Sequence, residues 1–476
     1  MEWILTRLPS WVRIPSPPTV RHVIYGLFLG FSLSLTSTSI ALFFQRRKQE
    51  RIAAQFEARP IELRSDEVLK GVTGLIGNTP LVRINSLSNA LGVEILGKAE
   101  FLNPGGSVKD RVALRMIDDA ERQGLIHPHT GSRIFEGTVG STGISIATIA
   151  RARGYDATII MPDDVAEEKV KALLSLGADV QRVRPASIVD KKQYVNIARQ
   201  RALEFGKEEP SSRPHLVSSS SSTVVVTTES EDDNDTDPLK HEQIALKPRG
   251  YFADQFENLS NFNAHFEGTG PEIWRQTNGR LDAFVSGAGT GGTIAGIGRY
   301  VKSKNEDILV ALTDPEGSGL YNKVKHDVMF DWRESEGTKR RHQVDTVVEG
   351  IGINRLTKNI ELALPIIDDA FRITDAEAVS MSRYLVQNDG LFLGSSSACN
   401  LVACIKLAKK MGWKDGQTIV TILCVCPLDA SSLEIETPLD VILVIAITRR
   451  NDGYLAKAGI PVDLSIVEDL LLQPTA

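Results

Sequence analysis

A chain of 476 residues with 42% hydrophobic and 6% aromatic residues has room for two or three compact units of ordinary α/β composition. A formal net charge of −6 and a pI near 5.9 argue against the clustered basic surface of a nucleic-acid binder. The four cysteines, Cys399, Cys404, Cys424 and Cys426, lack zinc-site spacing, so no metal site is expected and they read as reduced, mostly buried thiols.

Residues 1–21 are a basic segment with Arg7, Arg13 and Arg21. Val23 to Phe44 then contains no charged residue, enough to cross a bilayer as a helix. The stretch is diluted by serine and threonine and is followed by Arg46-Arg47-Lys48. This predicts a transmembrane signal anchor over 22–45, in contact with lipid. The basic cluster after it places the large domain on the cytosolic side. A mitochondrial outer-membrane anchor is expected, with the endoplasmic reticulum as the alternative. Residues 46–65 are a charged spacer.

From Asp66 onward, strand and helix patterns alternate. They include the strand Glu94–Gly97, the helix Lys109–Gln123, the strand Arg133–Phe135, the helix Gly143–Arg153, the strand Ala157–Met161, the helix Ala166–Leu176 and the strand Asp179-Val180. Such alternation predicts parallel sheets with crossover helices, whose ligands bind beyond the carboxyl ends of the strands. The segment 207–249 breaks the pattern with a serine run, an acidic run and little apolar content besides Val224–Val226. It reads as a disordered insertion. The catalytic domain is therefore expected over 66–206 and 250–424, with a divergent tail over 425–476.

Two glycine-rich loops suggest chemistry. The first, Asn103-Pro104-Gly105-Gly106-Ser107-Val108-Lys109-Asp110-Arg111, runs straight into a helix pattern. Burial lowers a lysine's pKa readily, and the free amine forms Schiff bases. The second, Val285-Ser286-Gly287-Ala288-Gly289-Thr290-Gly291-Gly292-Thr293, follows a strand-like run, Leu281–Val285. Its N–H groups, two threonine hydroxyls and the next helix N-terminus suit a phosphate monoester. It lacks the Gly-Lys-Ser/Thr of a nucleotide loop. An aldehyde-binding lysine paired with a phosphate cradle implies pyridoxal 5′-phosphate.

These strings resemble the cysteine synthase and cystathionine β-synthase group of fold-type II pyridoxal-phosphate enzymes. The resemblance includes Ile76-Gly77-Asn78-Thr79-Pro80-Leu81, Glu136–Gly143, Gln255-Phe256 and Gly270-Pro271-Glu272-Ile273-Trp274, and spans about Glu67 to Cys424. The pattern is most similar to the membrane-tethered fungal homologues of the mitochondrial outer membrane. It implies two three-layer α/β subdomains and a homodimer. It also implies synthesis of cysteine from O-acetylserine and sulfide through an aminoacrylate, with Lys109 as the cofactor-binding base. Serine/threonine dehydration and a tethered cofactor-binding protein with impaired catalysis are the alternatives.

By the same resemblance, Gly289, Thr290, Gly291, Gly292 and Thr293 hold the phosphate. Thr138, Val139, Gly140, Thr142, Gln255 and Gly350 face the substrate. Ser141 stands where the family has an asparagine against the cofactor ring hydroxyl, and Val139 where it has a serine. After the last strand, Thr418–Cys424, the family's Ser-Gly-type turn against the ring nitrogen is missing. Val425 to Arg450 stand in its place, as a retained intron would leave them, and the family pattern resumes near Asn451–Ala456.

Overall fold

The computed structural model describes residues 68–165, 167–186, 189–206, 247–331, 346–425 and 463–472, with short pieces at 29–31, 39–40, 43, 216–218 and 223–225. The strands are β1 (Leu81–Arg83), β2 (Glu94–Ala99), β3 (Arg133–Gly137), β4 (Asp156–Pro162), β5 (Asp179–Val183), β6 (Leu216–Ser218), β7 (Thr223–Val225), β8 (Gly250–Phe252), β9 (Ala283–Gly287), β10 (Leu309–Pro315), β11 (Asp369–Ile373) and β12 (Thr418–Leu423). Six of them form one sheet in the order β1-β2-β12-β9-β10-β11, and four form a second in the order β5-β4-β3-β8. All pairs in the two sheets are parallel except β1 with β2. The expected parallel architecture is present.

Parallel strands need cover on both faces, and the apolar runs supply it. Helices α1 (Lys109–Arg122), α2 (Ser141–Arg153) and α3 (Glu167–Ser175) belong to the four-stranded unit. Along α1 the residues Val112, Ala113, Met116, Ile117 and Ala120 recur at helical spacing and are buried with Ile134, Ile146 and Ile159. Helix α4 (Tyr194–Glu204) closes a second core of Phe135, Ile160, Val195, Ala198 and Phe252. In the six-stranded unit, α5 (Gly292–Lys304) packs Ile294 and Ile297 with Phe284, Val310 and Val420. Helices α6 (Asp375–Asp389) and α7 (Ser395–Lys410) pack Met381 and Leu401 with Ile95, Val285 and Leu423. Thr374 and Glu377 form a reciprocal capping box that starts α6.

Within 207–249, β6 and β7 pair antiparallel, with Leu216 opposite Val225. The β-branched run beginning at Thr223 favours a strand and supplies one arm of that hairpin. The tail contains helix α8 (Ser465–Leu472), which buries Val467 in the same core as Met381 and Leu401. Among the described residues no helix is long and apolar enough to cross a membrane. The span expected at 22–45, the spacer at 46–65 and the replaced segment after Val425 lie mostly outside them. Cys399, Cys404 and Cys424 are free thiols, and Cys426 lies outside the described residues.

Candidate active site

Strand β12 lies between β2 and β9, so the segments leaving the carboxyl ends of these three strands converge. Lys109 follows β2, Cys424 ends the β12 segment, and the glycine-rich loop follows β9. Asn103 shapes the lysine loop. Its Oδ1 accepts from Gly77 N–H at 2.9 Å, and its Nδ2 donates to Glu100 Oε2 at 2.7 Å and Ser107 O at 3.2 Å. Asp110 pins the other side. Its carboxylate accepts from Gly105 N–H at 2.6 Å and from Ser145 Oγ at 2.5 Å, joining the loop to α2. A Cβ at Gly105 would stand 2.4 Å from Asp110 Oδ1, so this turn requires glycine. Lys109 itself is half-buried, and its amine has no hydrogen-bond partner among the described residues. Loss of water pulls its pKa down, with the nearby Cys424 thiol a smaller, opposing influence. Burial pushes that thiol up to about 12, so it stays protonated.

The loop after β9 forms a tight cradle. Gly291 is left-handed (φ 90°) and caps α5, and a Cβ there would stand 2.4 Å from Ile360 Cγ1. A Cβ on Gly289 would stand 2.7 Å from Gly350 O, so Gly350 (φ 84°) lies directly against the loop. Gly352 N–H donates to Ala288 O at 2.8 Å. Thr290 and Thr293 are buried, and their hydroxyls meet Asn261 and His265. Backbone this close leaves room only for N–H groups and hydroxyls at the start of a long helix, which is donor chemistry for an anion.

The strand-to-helix turn after β3 carries Thr138, Val139, Gly140, Ser141 and Thr142. Thr138 and Thr142 are buried, Val139 is exposed, and α2 starts at Ser141 with no side-chain cap on its first N–H groups. Thr142 Oγ1 donates to Gln255 Oε1 at 2.6 Å, uniting the turn with the segment after β8. Lys169, on α3, approaches Gly140 and reaches Glu349 Oε2 at 2.7 Å. That ion pair ties the four-stranded unit to the loop bearing Gly350. Lys109 contributes charge at His265, and His265 in turn bonds Thr293. The structure therefore places Lys109 and the loop Gly289–Thr293 around one centre. Thr142, Gln255 and Gly350 approach it from the second unit and the 350–352 loop, and Val139 stands at the solvent edge.

The supporting residues were not found from sequence. Lys98, Glu100, Arg111 and Glu272 form a network of two cations and two anions behind the lysine loop. Arg111 contacts Glu100 at 2.7 Å and Glu272 at 2.7 Å, and fully buried Lys98 contacts Glu272 at 2.6 Å. Burial alone would raise the Glu272 carboxyl, but Arg111 and Lys98 hold it at about 2. Glu272 also accepts from Asn78 N–H at 3.0 Å, and Thr79 Oγ1 donates to Glu100 at 2.6 Å. Three separate motif strings thus share one buried network. Glu136, near the end of β3, is fully buried beside Asp254 and Gln255. Burial, then the Asp254 carboxylate, push its pKa well up.

A lysine amine with a depressed pKa and no hydrogen-bond partner among the described residues, near a glycine-rich loop that carries two buried threonine hydroxyls into a helix start, fits an aldehyde cofactor anchored by a phosphate. This defines a lysine-tethered cofactor enzyme on parallel α/β sheets. The family model described as pyridoxal-phosphate dependent enzyme matches residues 72–425, and the chain belongs to that family. A Schizosaccharomyces pombe protein named cysteine synthase 2 is 52% identical over 386 residues, covering 81% of this chain and 88% of the relative. A Saccharomyces cerevisiae relative whose name carries the words mitochondrial cysteine synthase is 47% identical over 356 residues, covering 75% and 81%. The crystal structure of an O-ureido-L-serine synthase superposes with a TM-score of 0.58 at 25% identity, covering 76% of this chain and 93% of that one. The cofactor is pyridoxal 5′-phosphate.

Proposed function

We propose that the chain catalyses β-replacement on an amino acid with a β leaving group, making cysteine from O-acetylserine and sulfide. What supports the reading is a lysine loop joined through Asp110 to the helix that follows the turn Thr138–Thr142, with Lys109 acting on His265, which bonds Thr293 of the loop Gly289–Thr293. The bound cofactor supplies an electron sink at the substrate Cα. Lys109 holds the cofactor, and its amine, once released with its lowered pKa, takes the α-proton at Nζ. The open N–H groups at the start of α2 bind the substrate carboxylate, and Gln255 is fixed beside them by Thr142. The Lys169–Glu349 pair ties the turn to the Gly350 loop. Relatives named cysteine synthase over most of the chain support the reading.

The test uses protein starting at Gln49. A visible band of lysine-bound cofactor is expected to change on adding O-acetylserine and to return with sulfide as cysteine appears. Lys109→Ala is expected to lack the band. Release of a 2-oxo acid from serine or threonine, with no response to sulfide, would overturn the proposal.

We further propose that 22–45 tether a homodimeric enzyme to the mitochondrial outer membrane with its domain toward the cytosol. The charge-free run from Val23 to Phe44 and the basic cluster after it support this, as does the name of the S. cerevisiae relative. Protease added to intact mitochondria should remove the domain. Recovery in the soluble matrix would refute the tether, and light scattering of the anchor-free protein reads the dimer.

A further inference from the structure

Thr290 and Thr293 each offer one hydroxyl to the glycine-rich loop, and a hydroxyl donates or accepts according to where its proton points. Both hydroxyls are met from behind by the helical run 260–276. Asn261 Nδ2 lies 2.8 Å from Gln255 O, which can only accept, and 2.9 Å from Thr290 Oγ1. The amide orientation is therefore fixed, and its second proton goes to Thr290 Oγ1. Thr290 accepts from Asn261, so its own proton is free to face the loop.

Thr293 Oγ1 lies 3.3 Å from His265 Nε2, and His265 Nδ1 lies 2.9 Å from Thr269 Oγ1. His265 is fully buried. Burial first, then the charges of Arg111 and Lys109, hold its pKa well below the ordinary value, so the ring carries one proton. Thr269 is also fully buried, and among the described residues its hydroxyl has no acceptor other than Nδ1. If Nδ1 carried the proton, the Thr269 O–H would be left buried and unpaired, which is costly. Nδ1 therefore accepts, and the proton sits on Nε2, donating to Thr293 Oγ1. A single-turn π-helix, His265–Thr269, brings Nδ1 and the Thr269 hydroxyl together.

We propose that Asn261 and His265 are positioning residues that turn both threonine hydroxyls into donors for a phosphate dianion held by the loop. The inference rests on the assignment of Gly289–Thr293 to the cofactor phosphate. It adds that the direction of each hydroxyl is set by a layer that never touches the cofactor.

The experiment titrates cofactor-free protein with pyridoxal 5′-phosphate and, separately, with pyridoxal, which lacks the phosphate. Thr293→Val is expected to weaken the phosphorylated form selectively. His265→Leu keeps the Thr293 hydroxyl but removes the group that directs it, and should weaken the phosphorylated form by a smaller factor, about threefold to tenfold. Pyridoxal affinity should hold in both. His265→Gln, which can present a donor at a similar reach, should recover most of the loss. Parallel loss of both ligands in His265→Leu would make His265 merely structural and overturn the proposal. No effect of Thr293→Val would overturn the phosphate assignment itself. Nitrogen-15 NMR of the full-length wild type reads the tautomer directly and does not depend on a variant that folds. A proton on Nε2 supports the proposal, and one on Nδ1 refutes it.

Discussion

Glu272→Gln is a near-isosteric change with a large expected cost. Glu272 faces Lys98 at 2.6 Å and Arg111 at 2.7 Å, with side-chain exposures of 15%, 0% and 6%. The carboxyl is held at about 2 against an ordinary 4.5, which corresponds to ~3 kcal/mol of stability at neutral pH. Breaking a buried pair independently costs about 3–5 kcal/mol, because the partner charge is left uncompensated. The sign follows from a depressed acid: its contribution is fully present above 4.5 and fades as pH falls toward 2. The variant leaves two buried cations against Glu100 alone. Lys98, already pulled down by burial, then releases its proton more readily, so the deficit shrinks as pH rises toward the ordinary lysine value. Urea unfolding followed by tryptophan fluorescence measures it. Lys98→Met combined with Glu272→Gln should recover most of the loss, since Arg111 and Glu100 remain paired. A loss below about 1 kcal/mol in Glu272→Gln would refute the network as a structural clamp.

Gly291→Ala combines a left-handed backbone with a Cβ 2.4 Å from Ile360 Cγ1, and should cost about 2–4 kcal/mol and weaken cofactor binding. Thermal unfolding and cofactor titration report both effects. Lys169→Met removes the cation that faces Glu349 beside the turn proposed for the substrate carboxylate, and KM for the amino acid should rise about tenfold with a smaller effect on kcat. Glu349→Gln in the same background should restore most of it in steady-state kinetics. Burial raises the Glu136 carboxyl in the folded chain, so folding favours its protonated form and stability falls as pH rises above 4.5. Glu136→Gln removes that slope, and urea midpoints measured across pH should show the variant more stable at neutral pH.

What was legible in the sequence is short-range. The alternating strand and helix patterns, and the two glycine loops at strand ends, follow from periodicity and backbone conformation within a dozen residues. Helix α2 begins at Ser141, ahead of the expected Gly143, because the turn itself supplies the first helical residues. The network of Lys98 with Glu272 was not legible, because charges 174 residues apart look like any surface charges until the fold buries them together. One trace was present: Lys98 interrupts β2, whose last three residues are all buried. His265 carries no local signal, since its role depends on a π-turn and on a threonine from α5. The hairpin β6–β7 was hidden by the polar composition around it. Helix α8 was missed because its apolar residues follow a segment in which the family pattern breaks.

Strand β12 is the last strand among the described residues, yet it sits between β2 and β9 in the middle of the larger sheet. During synthesis, β2 and β9 must wait with open edges until Leu423 has left the ribosome, a topology of high contact order. Lys109 and its cradle cannot come together before then, so a nascent chain stopped short of Thr418 has no pocket for the cofactor and two strand edges able to pair with other chains.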